Sequence, residues 1–72
     1  HNGLHLLYRS SQQVDKRLGR LREQEDRARD SKRLSARERD DKLLELREKM
    51  DDEIDRFYIK YRNHLSRRAE KQ

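Results

Sequence analysis

Between Arg20 and Gln72 the chain contains neither proline nor glycine, the two residues that most often end a helix. The positions between are filled largely by Leu, Arg, Glu, Lys and Gln, all strong helix formers. Proline is absent throughout, and the only glycines are Gly3 and Gly19. A helix can therefore run through most of the chain.

Composition limits what such a helix can pack against. Of 72 residues, 29% are hydrophobic and 49% are charged, far from the balance of an ordinary globular domain. A chain this short also buries a smaller fraction of its surface than a long one. One domain at most is expected, without a compact core of its own. The mixed sign of the charges favours helix over disordered coil. Opposite charges at i,i+4, namely Glu23 with Arg27, Glu25 with Arg29 and Glu38 with Lys42, each support a helix by about 0.2–0.5 kcal/mol. There is no cysteine to supply a disulfide or a thiolate ligand. Stability is thus expected from packing against a partner.

Three segments follow from the pattern. Residues 1–9 form an N-terminal apolar segment that includes Leu4, Leu6, Leu7 and Tyr8. Residues 10–42 read as a charged helix with a narrow stripe of Val14, Leu18, Leu21 and Ala28, which Leu7 and Leu4 extend if the helix begins early. Ser10 and Gln13 have capping-box spacing, which predicts a helix start near Ser10 or Ser11. Residues 43–72 carry the strongest signal. Leu43, Leu46, Met50, Ile54, Phe57, Tyr61 and Leu65 follow one another at intervals of three and four, with Tyr58 beside them. Their spacing repeats over eleven residues, a rhythm that favours straight or slightly right-handed packing over a heptad supercoil. Leu44 and Ile59 fall off this stripe.

The fold class is all-α: one long amphipathic helix or a two-helix hairpin, packed in coiled-coil or helix-bundle fashion with a partner. Ser35-Ala36-Arg37-Glu38 has the capping-box pattern of a new helix, so Ser31 to Ser35 mark the expected bend. The scarcity of apolar residues between Arg22 and Lys42 tilts the reading toward a single rod of roughly 90 Å.

Few residues suggest chemistry. His1 and His5 have an i,i+4 spacing used by zinc ligands, but no third ligand is apparent; His64 is expected at the surface. Asp51, Asp52, Glu53 and Asp55 lack the apolar enclosure and the serine, cysteine or histidine neighbours of a catalytic carboxylate, and read as a solvated acidic face. Two glycines do not make a phosphate cradle or an EF-hand loop. No enzymatic activity and no cofactor are expected.

Leu7-Tyr8-Arg9 resembles the three-letter signature of the small mitochondrial LYR proteins. That resemblance covers three residues and implies a three-helix bundle serving iron–sulfur delivery or respiratory-complex assembly. The chain departs from the family's pattern in the leucine and arginine that usually follow, and in its polar middle. The stretch from Lys32 to Met50 is basic and then leucine-containing, but Glu38, Asp40 and Asp41 interrupt it and its leucines do not recur every seven residues, unlike a basic zipper.

Charge is distributed in blocks: net +4 over residues 1–42, −4 over 43–55 and +5 over 56–72. These blocks suit antiparallel pairing of one chain with another. The leading expectation is a structural or assembly protein that holds a copy of itself, or another subunit, through Leu43, Leu46, Met50, Ile54, Phe57, Tyr58, Tyr61 and Leu65, with Val14, Leu18 and Leu21 as a weaker contact. The alternative is an Arg-rich RNA-binding subunit of a ribonucleoprotein particle such as a ribosome, contacting phosphates through Lys60, Arg62, Arg67, Arg68 and Lys71. A helical segment that inhibits a larger enzyme would show the same stripe. No apolar run approaches the roughly 20 residues that span a bilayer, and Leu4 to Tyr8 is short for an interfacial helix, so a membrane partner is not expected. The chain reads as soluble, and as intracellular rather than secreted.

Overall fold

The computed structural model describes residues 2–70, with side chains over residues 4–66. Two helices, α1 (Asn2–Asp30) and α2 (Ala36–Glu70), pack against each other as a helical hairpin. The backbone extends over 57 × 17 × 7 Å. The expected rod is thus folded in half, and the bend lies where the serines mark it. Ser35 accepts a hydrogen bond at Oγ from the Glu38 amide at 3.1 Å, and its carbonyl accepts from the Arg39 amide at 2.9 Å, so it caps α2. At the other end of the connection, the Ser31 amide donates to the Ala28 carbonyl at 3.4 Å and the Ser31 hydroxyl accepts from the Arg33 amide at 3.3 Å. Arg39 then ties the corner together, donating from Nη2 to the Ser31 carbonyl at 3.1 Å. Arg27 and Arg29 in the last turn of α1, and Glu38 in the first turn of α2, have the signs that the helix dipoles favour.

The helix start expected near Ser10 is not observed, because α1 already runs from Asn2. Ser11 instead turns its hydroxyl back, donating to the Tyr8 carbonyl at 2.8 Å, a bond available to a serine inside a helix.

The seam between the helices has heptad spacing. In α1 the covered residues include Leu7, Ser11, Val14, Leu18, Leu21, Glu25 and Ala28, and in α2 Arg39, Leu43, Leu46, Met50, Glu53, Phe57 and His64, with Ser10, Gly19 and Lys42 partly covered beside them. Intervals of three and four alternate in both sets, with Lys60 as the exposed member of the α2 series. The eleven-residue rhythm of the apolar residues is therefore not the rhythm of packing. The seam leaves that rhythm after Met50 and takes Glu53 in place of Ile54. Polar residues can occupy the seam because each acidic one is paired. Arg17 Nη1 lies 3.2 Å from Glu53 Oε2 across the hairpin, and Arg29 Nη2 lies 2.9 Å from Glu25 Oε1 along α1. The Arg17–Glu53 pair also fixes the register, setting the middle of α1 beside the middle of α2.

Full burial is scarce. Leu46 is completely covered and Ala28 nearly so, while the remaining seam residues are half-buried. The chain exposes 6581 Å², against about 4,800 Å² for a compact monomer of its mass. The hairpin is a flat two-helix layer with one thin interior seam.

Candidate interaction surface

Heptad positions show how the two broad faces of the hairpin differ. In α2, Leu43, Met50, Phe57 and His64 occupy a, and Leu46, Glu53 and Lys60 occupy d. Ile54 and Tyr61 then fall at e, and Leu44, Tyr58 and Leu65 at b, all on one flank. In α1, Ser11, Leu18 and Glu25 occupy a, and Leu7, Val14, Leu21 and Ala28 occupy d, which puts Tyr8 and Arg29 at e. Antiparallel helices bring their e flanks to the same face, and Glu25, Arg29, Leu43, Leu44 and Arg47 do line one shallow groove there.

This e/b face is apolar toward the open end of the hairpin. Ile54 is 48% exposed, Tyr58 60%, Tyr61 43% and Leu65 45%, and Tyr8 of α1 adds 62% exposure at the same end. Ile54, Tyr58, Tyr61 and Leu65 are themselves spaced four, three and four apart. They form a second heptad stripe, rotated away from the interior seam and without a partner among the described residues. Leu6 and Ile59, also well exposed, are at c positions and belong to the other face.

That other face is charged. A shallow groove lined by Arg17, Arg20, Leu21, Gln24, Lys49, Asp52, Glu53 and Arg56 continues into one lined by Ser10, Gln13, Val14, Phe57, Ile59 and Lys60. Five of these residues are basic and two acidic, and Arg17 is engaged with Glu53.

The residues singled out from the sequence are therefore divided between two surfaces. Val14, Leu18 and Leu21 of α1 and Leu43, Leu46, Met50 and Phe57 of α2 pack inside the chain, each set against the other helix. Ile54, Tyr58, Tyr61 and Leu65 face outward. Among the basic residues, Lys60 lines the charged groove with Arg56, whereas Arg62 is exposed at an f position on the back of α2. The side chains of Arg67 and Arg68, and the whole of Lys71, lie outside the described residues, as does His1. Arg17, Arg20 and Lys49 of the charged groove are basic residues that sequence reading missed: Lys49 lies two turns before Arg56 on α2, and only the hairpin brings Arg17 and Arg20 beside them.

His64 is half-buried rather than exposed. It occupies a seam position, and its Nε2 is sealed from solvent without a hydrogen-bond partner among the described residues. Arg39 Nε is enclosed and unpartnered in the same way. Of the expected i,i+4 pairs, Glu23 meets Arg27 at 4.0 Å and Glu25 meets Arg29 at 2.9 Å. Lys42 reaches Glu45 at 3.7 Å rather than Glu38. Glu45 also receives Lys49 at 3.1 Å. The Lys49 hydrogen bond, followed by the charges of Lys42 and Lys49, holds the Glu45 carboxyl below its ordinary value.

Among the described residues no group of three or more His, Cys, Asp or Glu side chains is placed to hold a metal ion, and no helix is long and apolar enough to cross a membrane. Those residues form two helices rather than the three-helix bundle that the Leu7-Tyr8-Arg9 resemblance implies. No protein-family model matches the chain, and no curated protein or solved structure is found to be similar to it.

Proposed function

We propose that the chain is a non-enzymatic assembly module that holds a protein partner, helix against helix, through the outward stripe of α2. The observation that carries this reading is the repetition of heptad spacing at Ile54, Tyr58, Tyr61 and Leu65, on a flank that the described residues leave open. Large apolar side chains at scattered positions are ordinary surface. Four in a coiled-coil register, with Tyr8 beside them, have the pattern that a facing helix would fill. The thin interior supports the same reading, because a layer of two helices with one fully covered leucine gains much by adding a further layer.

The charged face favours a second reading, in which Arg20, Lys49, Arg56 and Lys60 contact the phosphates of an RNA. A salt titration separates the two. Fluorescence anisotropy of labelled single-stranded RNA with the full chain should show weak binding, while association through the apolar stripe, followed by sedimentation, should persist at high salt. Tight RNA binding that falls steeply with salt, in a chain that Ile54→Asp and Tyr61→Asp leave unaffected, would make the charged groove the working surface and refute the docking reading.

A further inference from the structure

We infer that the partner seated on the e/b face is a second copy of this chain, antiparallel to the first, so that two hairpins pack face to face about a twofold axis near residues 59 and 60 of α2. The inference rests on the docking reading above and names its occupant.

The register follows from the stripe. Ile54, Tyr58, Tyr61 and Leu65 read the same in either direction as intervals of four, three and four. An antiparallel copy can therefore place Ile54 against Leu65 and Tyr58 against Tyr61, with each pair occurring twice. The two central pairs are aromatic, and offset or edge-to-face contacts between such rings add to what their burial contributes. A stripe with this internal symmetry is self-complementary, which is what a twofold interface requires.

Charge selects the direction independently. Asp55 and Arg62 are both exposed f positions bordering the stripe. In the register just given, Asp55 of one copy lies diagonally across from Arg62 of the other, again twice, as flanking residues do in antiparallel coiled coils. A parallel copy would set acidic against acidic and basic against basic. The alternation of the blocks also disfavours nucleic acid on this face, where Asp51 and Asp55 would meet phosphates.

The area is of the right order. Taking about 200 Å² for a fully exposed side chain of this size, the exposures of Tyr8, Ile54, Tyr58, Tyr61 and Leu65 amount to about 500 Å² per copy. With the bordering Asp55, Arg62 and the edge of Phe57, the contact approaches the roughly 800 Å² per partner of a specific complex.

The absence of native cysteine allows a clean test in the full chain. Chains carrying Ile54→Cys and chains carrying Leu65→Cys, mixed and oxidised, should form a disulfide-linked dimer. Either variant alone should not, because its two thiols would lie about 16 Å apart along the axis, beyond disulfide reach. Sedimentation of the unmodified chain should show twice the 8.9 kDa mass. Asp55→Arg or Arg62→Asp alone should weaken the dimer roughly tenfold, and the two together should restore it. Efficient cross-linking of Ile54→Cys chains alone would overturn the antiparallel register. A helical chain that stays monomeric at every concentration overturns the second-copy occupant, while helix docking to another protein is judged separately by the RNA titration. A mass increase that appears only with added RNA overturns both.

Discussion

At the level of single side chains, the interior seam closes fully around Leu46, with Ala28 the only other buried apolar residue among those described. Removing the Leu46 side chain beyond Cβ therefore strikes the one place where the two helices exclude water from each other completely. Leu46→Ala should cost about 2–5 kcal/mol, a large share of the stability of so small a fold, and urea titration followed by circular dichroism should show the loss. Leu44→Ala, at a side chain 60% exposed, should lie within about 0.5 kcal/mol of the unmodified chain in the same measurement. Glu45 offers a test of charge. Its folded carboxyl is held below its ordinary value by the Lys49 hydrogen bond and then by Lys42. The stabilisation it gives is thus present above the ordinary carboxylate range and lost as pH falls through the folded value. Lys49→Ala should move the Glu45 titration, read by NMR from its side-chain carboxyl, back up toward the ordinary range.

Each helix carries a local device that can be altered by itself. Gly19 lies inside α1, and a Cβ built there meets nothing within 4 Å. Gly19→Ala should therefore stabilise the hairpin by about 0.5–1 kcal/mol through lost freedom in the unfolded chain, visible as a higher Tm. Ser35→Ala should cost about 0.5–2 kcal/mol, since the Glu38 amide loses its acceptor, whereas Ser10→Ala removes no helix cap and should leave the Tm close to its starting value. These two serines mark what could be read in advance. The Ser35 cap was legible because its signal is local: a hydroxyl three residues before a glutamate, ahead of a periodic run. Ser10 has comparable spacing, but the residues before it continue the helix and leave no free N-terminus to cap. The seam was hidden for a different reason. Hydrophobic periodicity follows apolar residues, and in α2 these drift from Met50 to Ile54, Tyr61 and Leu65, while packing follows the helix through Glu53 and His64. Only the position of Arg17, 36 residues away from Glu53, makes a carboxylate tolerable there. The same long-range placement joins Arg17 and Arg20 of α1 to Lys49 and Arg56 of α2, so a short window shows only half of the charged face.

The whole molecule is a layer whose surface exceeds that of a compact chain of its mass, and association is the physical remedy for such a shape. If a second copy covers the e/b face, folding and assembly are linked, and the Tm of the unmodified chain should rise with its concentration. Ile54→Asp together with Tyr61→Asp should remove that dependence without touching the interior seam, which Phe57→Asp would disrupt directly; calorimetry at several concentrations checks this. The five-residue corner between Asp30 and Ala36 has a kinetic consequence. Contacts near it join residues close in sequence, as where Ala28 and Leu43 flank the corner, whereas Leu7 and His64 at the far end close a much longer loop. The hairpin should therefore zip from its corner outward, which hydrogen exchange during refolding would check. The outward stripe lies on the half that closes last, so whatever clasps Ile54 to Leu65 also latches the zipper, and the molecule becomes most rigid at the moment it is captured.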